Sequence, residues 1–402
     1  MRRRAILALL LLASLASPGA ALAQVDRVVR IGVLSDMSGP FSDQVGAGSV
    51  AAARLAVEDF GRAYPDARVE VVFADHQNKP DVGLAIARRW VDVDDVSAIV
   101  DLPNSAVALA VSGLMRERNR VALASSAMTS DLTGRSCAPT TVQWVSDTWA
   151  QGSATARALA ARDLTSWYFL TVDYALGHAL ERDALAALQA TGGDSRGASR
   201  HPLATADFSA LLVAAQGSGA KVLALANTGA DMINAVKQAN EFGLTRTMTL
   251  AALFVQISDV HALGLATAQG MRFASPFYWD HDDASRAFAA RFGRVMGGRM
   301  PTEDHAGVYS ATLAYLQAVW TARTLDGAAV VAQMKRSPFV DPLFGPMTIR
   351  RDGRAVHELR LYEVKSPAES RGPYDYYRLL ATVAGGDAFR PEGVGGCPSG
   401  GG

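Results

Sequence analysis

From Val28 onward the chain alternates short runs rich in β-branched residues with longer stretches whose apolar positions recur every three to four residues. "VVRIGVLSD", "RVEVVFADHQ", "VSAIVDLP" and "VALASSA" read as strands that end in polar loops. Between them lie "GSVAAARLAVEDFGRAY", "KPDVGLAIARRWVDVDD" and "SAVALAVSGLMRERN", each with helical periodicity. In the second of these, Pro80 sits near the start, where a missing N–H does no harm. A second set follows the same rule. "TSWYFLTVDYALG", "AKVLALANTG" and "TMTLAAL" are strands, separated by helical stretches at 179–190 and in "DMINAVKQANEFG". Strands alternating with helices of this length predict βαβ units and buried parallel sheets. The segments 141–152 and 270–280 read as extended crossings between the two sets, and two further helices are expected near 283–296 and 304–324. The chain closes with a hairpin whose turn is Asp352-Gly353. The fold class is therefore α/β, with two Rossmann-like lobes built from discontinuous pieces.

Composition narrows the setting. Arg2, Arg3 and Arg4 precede the apolar run "AILALLLLASLA", a Ser17-Pro18-Gly19 break and Ala21-Leu22-Ala23, the pattern of a secretory signal cleaved after Ala23. An exported protein of 379 residues is expected, in the periplasm. Acids and bases balance at 39 each over the whole chain. That gives no reason to expect nucleic acid or an anionic membrane as partner. Cys137 and Cys397 are the two cysteines. In an oxidising compartment they are expected to pair, tying the tail from 386 back to the loop "ASSAMTSDLTGRSC"; two separately buried thiols are the alternative.

In open α/β sheets, ligands sit beyond the carboxyl ends of the strands. That rule selects the loops 35–41, 102–106, 125–129, 173–177, 227–230 and 253–256, rich in Ser, Thr, Asn and Gly. Hydroxyls and free N–H groups at helix starts make an uncharged cradle for an anion. No G-x-S-x-G, no H-E-x-x-H and no G-x-x-x-x-G-K is present, and the seven histidines are scattered. No enzyme, metal or cofactor is expected.

With these motifs in order, the chain resembles the solute-binding proteins of ABC transporters, in the branch containing the branched-chain amino acid-binding proteins. "IGVLSDMSGPFSDQVGAGSVAAARLAVEDF", "ALASSAMTSDLTG", "VDYALGHAL" and "PLFGPMTIRRDGR" carry the resemblance. It implies a type I periplasmic binding fold with three hinge crossings: a first lobe of 24–145 plus 277–340 and a second of 146–276 plus 341–385. It also implies a monomer that closes on a small-molecule ligand and presents it to ABC permease subunits. A sensor serving a membrane receptor has the same fold. By the resemblance, Ser105, Ser126, Ala127 and Thr129 hold a ligand carboxylate and Tyr174 lies over the ligand. Asn227, Phe254, Phe41 and Tyr309 are further candidate wall residues, with Phe277 beside them. Amino acid binders place an acid in the loop after the last second-lobe strand, where this chain has Leu253 and Phe254. Asp259 lies further along, and Asp173 is the possible substitute. An aromatic or branched carboxylate is therefore expected, with amino acids as the alternative.

Overall fold

The computed structural model describes residues 28–336 and 338–398; the expected signal segment lies outside them. The first lobe opens with β1 (Val29–Ser35), α1 (Gly46–Ala63), β2 (Val69–Asp75), α2 (Pro80–Asp92), β3 (Val96–Asp101), α3 (Ser105–Glu117), β4 (Val121–Ala124) and β5 (Thr141–Gln143). These strands form one parallel sheet in the order β2-β1-β3-β4-β5. β3 and β4 are buried along their whole length, as strands covered by helices on both faces must be.

The second lobe comprises α4 (Thr148–Ala160), β6 (Ser166–Val172), α5 (Ala175–Ala190), β7 (Asp194–His201), α6 (Ser209–Gly217), β8 (Val222–Ala226), α7 (Gly229–Glu241), β9 (Thr249–Ala252), α8 (Ile257–Leu263), α9 (Leu265–Ala268) and β10 (Arg272–Ser275). The chain then returns to the first lobe with α10 (Asp283–Val295), α11 (Glu303–Ala322) and α12 (Gly327–Met334). A small sheet follows, of β11 (Phe339–Asp341), β12 (Gly345–Ile349) and β13 (Ala355–Val356). Last come β14 (Leu359–Val364), β15 (Tyr377–Val383) and the short α13 (Gly385–Ala388). The second sheet runs β15-β14-β10-β9-β8-β6-β7, with β14 and β15 added antiparallel.

Three differences from the sequence reading have plain causes. The segment 141–152 is extended only as far as Ser146; from Thr148 it is α4, whose Ala-rich sequence is buried nearly all round and shows little amphipathic contrast. β7 reads "DSRGASRH", an edge strand with polar residues on its open face, and carries no apolar run to find. The closing hairpin forms at Gly353, which takes φ 85°, and its Leu343, Phe344, Met347, Ile349 and Ala355 pack into the first-lobe core. The chain re-enters the second lobe only at β14, so the stretch 341–356, expected in the second lobe, sits in the first.

Three connections join the lobes, near 143–148, 275–279 and 356–359. Fully buried Arg354 ties the first to the chain entering the third. Its Nε donates to Ala355 O at 3.0 Å, it bonds Val145 O, it pairs with Asp147 at 3.4 Å, and it lies over the Phe389 ring at 4.8 Å. The expected Cys137–Cys397 bridge is present, with Cα atoms 5.6 Å apart. Among the described residues no helix is long and apolar enough to cross a membrane.

Candidate functional site

The carboxyl ends of both parallel sheets face each other across a cleft, and the lobes touch there. Gln44 Nε2 of the first lobe reaches Thr228 Oγ1 at 3.3 Å and Asp259 of the second at 2.9 and 3.1 Å. Gln256 of the second lobe donates to Asp304 of the first at 3.0 Å. A small cavity lies beside these contacts, walled by Phe41, Ser105, Ser126 and Asp304 from the first lobe and by Tyr174 and Phe254 from the second.

The first-lobe wall is built from strand ends. β3 stops at Asp101 and Leu102, two consecutive non-glycine residues at φ 85° and 61°. Such backbone costs roughly 1–2 kcal/mol per residue and persists where neighbours fix it. Here Ser125 Oγ accepts from Asp101 N at 3.1 Å and Leu34 O accepts from Leu102 N at 3.1 Å. The kink delivers the chain to Asn104, which caps α3 by accepting from Ala106 N and Val107 N. Ser105 therefore opens a helix whose partial positive charge faces the cavity. In the β4 loop, Gln143 Nε2 holds Ala127 O at 2.8 Å and Thr129 O at 3.0 Å, so the N–H groups of that turn are held in place. Among the described residues the backbone N–H groups of Ser105, Ala127 and Thr129 meet no acceptor, although all three residues are buried. Buried N–H groups are normally paired, so these suit an anionic ligand.

The side chains expected for the cradle have other duties. Ser126 Oγ donates to Asp101, and Thr129 Oγ1 accepts from Asp131 N at 3.3 Å. The donors left free in this loop are therefore backbone N–H groups. Phe41, Tyr174 and Phe254 line the cavity, joined by Met128 and Leu176. Tyr174 is presented by α5, whose Gly177 allows the turn to close: a Cβ there would lie 2.0 Å from Val172 O. Burial pushes the Tyr174 hydroxyl pKa up.

Four expectations fall elsewhere. Tyr309 lies in the first-lobe core, donates to Asp59 at 2.8 Å and packs on Phe288. Phe277 is in the same core, against Phe288 and Phe344. Asn227 is buried beside His201 at 3.0 Å and is not in the cavity wall. Asp173 is exposed and paired with His178 at 2.7 Å, so it cannot serve as a counter-charge inside the cleft.

The expectation of a cleft without an acid is also corrected. Asp304 lines the cavity, fully buried at the start of α11; Oδ2 accepts from Gln256 and Oδ1 has no partner. Desolvation, then the neighbouring Glu303, Asp101 and Asp259, hold its pKa well above the carboxylate range. Burial likewise raises Asp101 and Asp259 to about 6 and Glu303 to about 7. None of the residues lining the cavity is Lys or Arg. Asp304 was missed because it comes from a helix after the second crossing, in "PTEDHAG"; the Pro-Thr-Glu-Asp helix start was its only sequence signal.

The family model described as "Periplasmic binding protein" matches residues 28–372. A periplasmic binding protein from Burkholderia mallei is 42% identical, with a TM-score of 0.86 over 90% of this chain and 96% of that one. A branched chain amino acid ABC transporter periplasmic ligand-binding protein from Burkholderia xenovorans LB400 is 38% identical, with a TM-score of 0.83 over 90% and 97%. The Leu/Ile/Val-binding protein homolog 6 of Brucella melitensis is 28% identical over 339 residues, 82% of this chain and 85% of the relative.

Proposed function

The chain belongs to the periplasmic binding protein family, in its ABC-transporter solute-binding branch, and from that premise we propose what its cleft holds. The protein binds solutes rather than transforming them. Its ligand is a small carboxylic acid with an aromatic or branched body and a second group, amino or hydroxyl, that donates a hydrogen bond. The carboxylate meets the N–H groups of Ser105, Ala127 and Thr129. The body lies against Phe41, Tyr174 and Phe254. The donor group meets Asp304.

One observation carries this reading: the unpartnered Oδ1 of buried Asp304 in the cavity wall. A buried carboxyl oxygen without a donor costs about 1–3 kcal/mol, and a ligand N–H or O–H removes that cost in the closed state alone. The relative from Burkholderia xenovorans, named for branched-chain amino acids, agrees with a ligand that carries both groups. The lobes close on it by hinge bending, the closed form engages the permease, and the signal segment is removed after Ala23.

The test is a thermal-shift and calorimetric screen of paired compounds: leucine with 4-methylpentanoate, phenylalanine with 3-phenylpropanoate, and 4-hydroxybenzoate with benzoate. The donor-bearing member of at least one pair is expected to bind at least about tenfold more tightly. Asp304→Leu, which removes the acceptor, should erase that preference. Equal binding within every pair would overturn the proposal.

A further inference from the structure

Behind the Gln44–Asp259 contact the lobes enclose a second cavity, of about 340 Å³. Neither the backbone cradle nor Asp304 contributes to it. Its first-lobe wall comes from the end of α10 and the loop after it, through Met296 and Arg299; its second-lobe wall comes from α7 and α8, through Ile233, Ser258 and His261, with Tyr374 beside them. The walls are largely apolar; Arg299, Ser258 and the start of α7 offer donors, and Asp43 and Asp259 are the acids in the lining. The nearest acid to the Arg299 guanidinium is Asp43 at 3.8 Å, itself almost wholly in solvent. The Ser258 hydroxyl oxygen is buried without a partner. His261 is fixed by Tyr376 OH on Nδ1 at 2.7 Å and by a flat stack on Tyr374, centroids 4.4 Å apart and planes at 11°. α7 begins at Gly229, which lines the cavity, and no side chain caps it. The acid at the boundary, Asp259, is already satisfied by Gln44 Nε2 and Gln256 N.

We propose that this chamber is a second site for a small aromatic carboxylate, distinct from the inner cleft. Arg299 and the first turn of α7 hold the anion, and the body packs among Met296, Ile233 and the His261–Tyr374 stack. Because the two walls belong to different lobes, the occupant bonds to both only when they are together. It therefore stabilises the closed arrangement and, by linkage, tightens the inner solute.

The inference rests on reading the chain as a solute-binding protein that closes, not on the identity of the inner ligand. The test uses the full chain without its signal segment and 2-naphthoate as probe, followed by native mass spectrometry and calorimetry at millimolar concentration. Arg299→Ala should weaken a naphthoate-binding event at least about tenfold, and Ile233→Trp, which fills the chamber, should remove it. Asp304→Leu should leave that event intact, so failure of the inner-site reading is seen separately. Circular dichroism and melting temperature confirm that each variant folds. Absence of naphthoate binding would overturn the proposal. So would a single event lost in Asp304→Leu and indifferent to Ile233→Trp.

Discussion

The side-chain amide of Gln44 spans the two lobes to reach both carboxylate oxygens of Asp259, at 3.1 and 2.9 Å. The same Asp259 also closes a capping box with Gln256 at the start of α8, and Gln256 continues to Asp304. A first-lobe amide, a second-lobe helix start and the cavity acid thus form one chain of hydrogen bonds that is complete only with the cleft shut. Gln44→Leu keeps the side chain's bulk and removes the link. A hydrogen bond to a charged acceptor contributes about 1.5–3 kcal/mol. Ligand affinity should therefore fall roughly tenfold or more, with the melting temperature of the ligand-free protein little changed. Calorimetry with a bound solute checks the first and a melting curve the second.

Glu303 gives the hinge a pH dependence with an unusual sign. Its carboxylate accepts from Ser146 at 3.0 Å and Ser275 at 2.5 Å, residues on two of the three lobe connections. Burial raises it from 4.5 to about 7, and raises Asp259 from 3.8 to about 6. Such groups keep their protons in the folded closed protein over a range where the unfolded chain has lost them. Folding then binds protons, so stability is fullest at and below the unfolded pKa and declines as pH rises through 6 and 7. The loss for Glu303 is on the order of 3 kcal/mol at most. The melting temperature should be higher at pH 5.5 than at pH 8. Glu303→Gln should raise it at pH 8, change it little at pH 5.5, and flatten the curve between. A wild-type melting temperature that climbs from pH 5.5 to 8 would contradict this assignment.

The parallel sheets were legible because β3, β4 and β8 are largely apolar and buried along their whole length. The loops that line the cavity were legible because strand ends in such sheets open onto the cleft. What could not be read is where a later helix sends its first turn. Asp304 and Tyr309 stand five residues apart on α11, yet one faces the cleft and the other the core. Their difference comes from how α11 lies against α1 and from the Thr302 cap, whose hydroxyl donates to Gln44 O at 2.8 Å. Both are tertiary facts. The same holds for Asp259. It was set aside because of its position along the chain, yet α8 carries it back to the interface. The hydroxyls of Ser126 and Thr129, expected to meet a ligand, instead bond within the first lobe, to Asp101 and Asp131 N, and leave backbone N–H groups of the loop unpaired.

The Cys137–Cys397 bridge returns the tail to the first lobe after the chain has finished in the second. Arg390 reinforces it, donating to Ser130 O at 2.9 Å while its own carbonyl accepts from Arg350 at 2.5 Å. The bridge closes a segment of 260 residues, for which chain entropy predicts up to roughly 5 kcal/mol, with about 2–4 kcal/mol the usual yield. Replacing both cysteines by serine should lower the melting temperature by several degrees. Mass measured without reductant should show the wild type two hydrogens lighter than its reduced form. A wild type carrying two free thiols would remove the basis for the prediction.

Tyr174 owes its place in the cleft to Gly177. The turn after β6 folds back so that Tyr174 N donates to Val172 O at 2.9 Å, and Gly177 passes the same carbonyl so closely that a Cβ would stand 2.0 Å from it. That obstacle is backbone, which has no rotamer to move aside. Gly177→Ala must therefore open the turn and shift the start of α5, and with it the Tyr174 ring that faces Phe41 across the cavity. Overpacking of this kind costs about 1–3 kcal/mol, so the melting temperature should drop and ligand affinity should fall with it. Two further variants separate a displaced ring from a loosened fold. Tyr174→Phe keeps the aromatic face and should bind within a few-fold of wild type. Tyr174→Ala removes the face without touching the turn, and should lose affinity while melting close to wild type. If Tyr174→Ala bound as tightly as wild type, the ring would not be part of the ligand's wall, and the effect of Gly177→Ala would be one of stability alone.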